Sequence, residues 1–83
     1  MKVNIKDLKK SIWFTLRLQN ILEKYFIDSE NMIDLSTLTH AQFTSKKGAG
    51  RKSFYLFRRI LEYDFGFQYI YEQNSKNDHW IKN

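Results

Sequence analysis

The sequence predicts a mainly α domain, compact and built of four to five short helices, with room for a small β-hairpin at its C-terminal end. Three observations lead there. Leu18, Ile21, Leu22 and Tyr25 form an apolar stripe at helical spacing. Thr39 and Gln42 have the spacing of a capping box just upstream of a two-glycine turn. Beyond that turn Phe54, Phe57, Ile60 and Leu61 recur at three- and four-residue steps. With 83 residues the chain is one small domain, residues 1–83, and 42% hydrophobic with 17% aromatic residues is enough to build its core.

The elements follow in order. Val3 and Ile5 alternate as in a short strand, whereas Leu8, Ile12 and Leu16 recur at helical spacing, so residues 1–14 read as an extended or irregular lead-in. The first helix runs from Leu16 to Phe26, with Thr15 as its N-cap. Asp28-Ser29-Glu30-Asn31 is a turn, and Met32, Ile33 and Leu35 after it support about one helical turn, a short connector. A second short helix starts near His40 and must stop before Gly48, with Leu38 and Phe43 as buried anchors. The helix after Gly50 is the best patterned, and Gly66 suits its C-terminal cap. Phe67, Tyr69 and Tyr71 then alternate with Gln68, Ile70 and Glu72, and Asn74-Ser75-Lys76-Asn77 reads as a turn before His79-Trp80-Ile81.

Composition excludes several functions. Cysteine is absent, which removes disulfides and thiolate metal sites and suits a cytoplasmic setting. No apolar run approaches the ~20 residues that span a bilayer, and Met1–Asp7 lacks the apolar centre of a signal peptide. His40 and His79 are far apart in the chain, without paired carboxylates or a nucleophile motif. The reading is therefore no enzyme, no catalytic residue, no metal, no cofactor, no membrane and no small-molecule substrate.

What remains is charge. The 14 Lys and Arg against 9 Asp and Glu give +5, and the excess is local: six basic and no acidic residues lie between Lys46 and Arg59. Within that window Lys46-Lys47-Gly48-Ala49-Gly50-Arg51-Lys52-Ser53 looks like the hairpin of a helix-hairpin-helix. Glycine allows a tight reversal and leaves the backbone bare, so that a phosphate can approach the N–H groups opening the next helix. Arg51 and Lys52 add charge there. A polyanion is the natural ligand; a solvated basic face is the plain alternative. Arg58 and Arg59 read as flanking charge. Stacking of single-stranded bases on Phe67–Tyr71 is less favoured than core packing, because the basic cluster does not interleave with those rings.

The first helix and the basic hairpin together resemble the C-terminal domain of the bacterial RNA polymerase alpha subunit, over residues 15–66, with 67–83 as a C-terminal extension. Thr15-Leu16-Arg17-Leu18-Gln19-Asn20-Ile21-Leu22 is similar to that family's stretch of Ser or Thr before an Arg followed by Asn-Cys-Leu, with Ile21 in place of the cysteine. Ile33-Asp34-Leu35 with Thr39 is similar to its connecting turn, and Gly50-Arg51-Lys52-Ser53 matches its Gly-Arg-Lys-Ser run. Ala49 stands where the family usually has a larger apolar residue.

The resemblance implies a double-stranded DNA partner, a bacterial or phage transcription context with RNA polymerase or transcription regulators as further partners, and a nucleoid-associated location. It implies that Arg17 enters the minor groove with Asn20 in support, while the Gly50 backbone, Lys52 and Ser53 hold phosphate. The DNA-binding set is thus Arg17, Asn20, Gly48, Gly50, Arg51, Lys52 and Ser53. A groove narrowed by A·T-rich sequence attracts an inserted arginine, so preference would follow DNA shape. The alternative is a protein–protein interaction module on the same scaffold without nucleic-acid binding. Structured RNA is a third possibility, a polyanion that the residues do not separate from DNA.

Overall fold

Strand β1 (Lys2–Asn4) lies antiparallel to β2 (Met32–Asp34), with Val3 opposite Ile33. A computed structural model describes residues 1–72 and 77–82 of the chain. Val3 and Ile33 are both buried, so the alternation at Val3 and Ile5 marks a strand that runs into a helix rather than an irregular lead-in. Asn4 makes that change of direction. Its backbone is extended, its side chain accepts from the Lys6 N–H, and helix α1 (Ile5–Leu8) begins at once. Helix α2 (Leu16–Tyr25) is capped by Thr15, whose hydroxyl accepts from the Leu18 N–H at 3.1 Å.

Between α2 and β2 the chain turns on Asp28. Its Oδ1 accepts from the N–H groups of Glu30 (2.8 Å) and Met32 (2.9 Å), while Asn31 takes a left-handed backbone (φ 63°). Asp34 repeats the device, accepting from the N–H and hydroxyl of Ser36 to open a 3₁₀ turn over Leu35–Thr37. Helix α3 (His40–Thr44) carries the reciprocal Thr39–Gln42 capping box, and α4 (Arg51–Asp64) is the longest helix. It ends through Phe65 into Gly66 at φ 73°. Strands β3 (Phe67–Ile70) and β4 (His79–Lys82) pair antiparallel, with Tyr69 opposite Trp80. Of the turn expected at 74–77, residues 74–76 lie outside the described residues.

The expectation of a mainly α domain is therefore corrected: among the described residues the chain is an α+β fold, four α-helices with two two-stranded antiparallel sheets. The reason is local ambiguity. Met32-Ile33-Asp34 is as long as one helical turn, and only its pairing with Lys2–Asn4, from the far end of the sequence, makes it a strand.

The core explains how these short elements hold. Val3, Ile5 and Leu8 from the N-terminal end, Leu18 and Leu22 of α2, Phe43 of α3, Phe54, Phe57, Ile60 and Leu61 of α4, and Tyr69 and Trp80 of the C-terminal hairpin form one buried cluster. Strands β3 and β4 are thus built into the packing. Trp80 Nε1–H donates to the Leu38 carbonyl at 2.9 Å. The Tyr69 hydroxyl accepts from the His40 N–H at 2.7 Å and donates to the buried Asp78 carboxylate at 2.9 Å, which in turn accepts from the Glu72 N–H. Burial pushes the Tyr69 phenol well above its usual range and keeps it the donor.

The two turn carboxylates give a pH dependence. Backbone N–H groups of Met32 and Glu30 hold Asp28 below its ordinary value of 3.8, and the Ser36 hydroxyl and N–H do the same for Asp34. Because the folded state lowers both, their contribution is complete above 3.8 and is lost as pH falls through the lower folded values. Denaturation midpoints are expected to fall on acidification through that window, and less so in an Asp28→Asn/Asp34→Asn variant; equal slopes for the two proteins would refute the assignment.

Candidate nucleic-acid interface

The turn between α3 and α4 is built by its two glycines in different ways. Gly48 has φ 84°, a conformation that costs any other residue, and it lets Ala49 tuck inward, where it is buried. The Ala49 N–H closes the turn on the Lys46 carbonyl at 3.1 Å. Gly50 is extended (φ −97°, ψ 176°) and is the N-cap of α4, with no side chain capping the helix. A Cβ at Gly50 would meet nothing within 4 Å. Its bareness therefore serves nothing inside the protein and leaves the first-turn N–H groups, which have no intrahelical acceptor, open from outside.

That difference makes a test. Gly50→Ala is expected to change stability by less than about 1 kcal/mol, since alanine adopts this backbone without strain. The added methyl is expected to weaken phosphate contact several-fold, as read in duplex affinity. Unchanged affinity would show that nothing approaches this backbone.

Helix α2 is fastened to the turn from the other side. The Tyr25 hydroxyl donates to the Lys47 carbonyl at 3.1 Å, Lys46 Nζ sits 6.0 Å from the Tyr25 ring, and the Arg17 guanidinium reaches the Gly48 carbonyl at 3.4 Å. Arg17 is exposed, so this contact parks its charge at the turn without burying it. On one side of Arg17 lies a concavity of about 500 Å³ shared with Thr15, Gly50, Lys52, Ser53 and Leu56. On the other lies one of about 460 Å³ shared with Asn20, Lys24, Tyr25 and Gly48.

The seven residues named from sequence thus gather on one side of the molecule, on α2, the glycine turn and the head of α4, with differing exposure. Arg51 and Lys52 are exposed at the head of α4. Ser53 is only 7% exposed and forms part of the concavity wall, so its hydroxyl is far less available than the lysine. Asn20 is exposed and shares a concavity with Arg17, but among the described residues its amide makes no hydrogen bond to the guanidinium. Tyr25 was legible only as part of an apolar stripe; its hydroxyl proves to be a clamp on the turn. Nothing in its spacing signals that role.

Arg58 is not free flanking charge. It is paired with Glu62, and its guanidinium lies 5.1 Å from the Tyr71 ring. His40 packs edge-on against Phe54 at 5.1 Å, and His79 is exposed on β4. Among the described residues no cluster of three His, Asp or Glu side chains is arranged to hold a metal ion, and no helix is long and apolar enough to cross a membrane. No family model, no curated protein and no solved structure matches the chain.

Proposed function

We propose that this chain is a DNA-binding module that grips the duplex backbone with the α3–turn–α4 unit, acting as a helix-hairpin-helix, and reads the minor groove with α2. The single observation that carries this reading is the shared concavity between Arg17 and the uncapped head of α4. Backbone donors, the α4 dipole and Lys52 favour a phosphate at one wall, and Arg17 offers a cation at the other. The resemblance to the polymerase alpha-subunit domain supports a role in bacterial or phage transcription, through or alongside RNA polymerase.

Titration with short duplexes at several salt concentrations tests it. Affinity is expected to fall linearly with salt on logarithmic axes. Arg17→Ala is expected to erase the preference for A·T-rich over G·C-rich duplexes while leaving weak binding to both. Equal loss on both sequences would refute groove insertion. Absence of binding at low salt would refute the DNA reading and favour a protein partner, for which the 70% exposed Leu16 beside Arg17 is a ready contact.

A further inference from the structure

The exposed side of α4 is furnished beyond its phosphate-facing end. Lys52, Tyr55, Arg59 and Tyr63 follow one another at three- and four-residue steps, so they share a face of the helix. Tyr55 is 51% and Tyr63 68% exposed, and neither ring belongs to the buried cluster. Stability of the core does not account for them.

Arg59 holds these rings in place. Its guanidinium carbon lies 5.3 Å from the Trp13 ring, 5.5 Å from Tyr55 and 5.2 Å from Tyr63, and its Nη1 donates to the Tyr55 hydroxyl at 2.7 Å. Trp13 and Tyr63 are themselves 5.5 Å apart. A cation fixed among rings that keep an outer face open offers both charge and stacking surface. The two tyrosines are about 12 Å apart along the helix backbone, and their rings converge on the same guanidinium. The carboxylates nearby limit the strip rather than cancel it: Glu62 is bonded to Arg58, and the exposed Asp64 borders a concavity that Lys10 and Trp13 also line. At its other end Tyr55 shares a concavity with Arg51 and Lys52, so the rings continue directly from the charged head of α4.

We infer that this face is a stacking platform for unpaired bases, and that the module's preferred ligand is a duplex continued by a single-stranded extension. The inference rests on the DNA reading for the phosphate end of the strip. Interleaved cations and exposed rings are what single-strand recognition requires; α4 carries a run of them, whereas by the C-terminal hairpin Phe67, Tyr69 and Trp80 are spent on the core and Tyr71 stays exposed, beside an arginine already paired with Glu62.

The test compares a blunt A·T-rich duplex, the same duplex with a short oligothymidylate extension, and oligothymidylate alone. The extension is expected to tighten binding about tenfold. It is also expected to quench a tryptophan emission that Trp13→Phe removes, since the other tryptophan, Trp80, is buried. Tyr63→Ala should abolish the gain and leave blunt-duplex affinity unchanged, while Tyr63→Phe should keep it. Equal affinity for blunt and extended duplexes, or an equal loss on both in Tyr63→Ala, would overturn the platform and leave duplex binding standing. Ring-dependent binding of oligothymidylate without any blunt-duplex binding would remove the duplex reading and keep the platform. No nucleic-acid binding, with Tyr63 needed instead for an acidic protein partner, would overturn both.

Discussion

Replacing Trp80 with alanine is expected to lower the unfolding free energy by about 3–5 kcal/mol. Trp80 is 3% exposed, and its ring lies 4.7 Å from Tyr69, 5.9 Å from Phe57 and 6.3 Å from Phe54. Its indole N–H also satisfies the Leu38 carbonyl where the chain enters α3. Alanine would leave a cavity among those rings and an unpaired carbonyl beside it. Against the roughly 5–15 kcal/mol that holds a typical domain, such a loss brings the protein close to unfolding at room temperature. Urea denaturation followed by far-ultraviolet circular dichroism reads it without relying on tryptophan emission. Trp80→Phe keeps a ring but loses the hydrogen bond, and is expected to cost less, about 1–3 kcal/mol. A cost below 1 kcal/mol for the alanine variant would mean that β3 and β4 do not hold α3 and α4 together.

The second large effect is on binding. Arg17→Ala, Arg51→Ala and Lys52→Ala combined are expected to reduce duplex affinity by about 10²–10³ at 0.1 M salt. Each neutralised phosphate contributes roughly 0.9 to the slope of log K against log salt, so the loss of Arg51 and Lys52 at the phosphate wall should flatten that slope by about 1.8, with Arg17 adding its loss through the groove. The three side chains are exposed, and the fold is expected to survive their loss. If the slope stays the same while affinity falls, the cations act through the shape of the turn rather than through phosphates. Fluorescence anisotropy across a salt series distinguishes the two.

Much of the helical content was legible because its signals are local. Thr15 before an apolar stripe, Thr39 with Gln42, and the three-and-four spacing after Gly50 each specify a helix from a handful of adjacent residues, and α2, α3 and α4 begin where those signals stand. The C-terminal pair β3–β4 also stood in the alternation of Phe67, Tyr69 and Tyr71, but the N-terminal sheet was not legible in the same way. Strands β1 and β2 have three residues each, and neither carries enough alternation to declare itself without its partner. The four-residue α1 is similarly invisible, since it depends on the Asn4 cap and on Ile5 and Leu8 reaching a core assembled from elsewhere. The unread pairing of β1 with β2 accounts for the mainly α expectation.

The candidate site divides along the same line. The glycine turn and its cations could be named from residue type alone, because positive φ at Gly48 and a bare N-cap at Gly50 are backbone properties. What spacing could not give was tertiary: the hydrogen bond from Tyr25 to Lys47, the reach of Arg17 to Gly48, the burial of Ser53 and the gathering of Trp13, Tyr55 and Tyr63 around Arg59. In the sequence Arg59 reads only as flanking charge. Only the packing of Trp13 against the far half of α4 turns that arginine into the centre of an aromatic face.

The most direct test of the account is a titration of isotopically labelled protein with a blunt A·T-rich duplex at low salt, followed by amide and side-chain NMR shifts. The account predicts shifts clustered at Arg17, Asn20 and Gly48 to Ser53, suppressed as salt is raised, with Tyr63 and the β3–β4 hairpin unmoved. No shifts at low salt, or shifts centred on the hairpin instead, would contradict it.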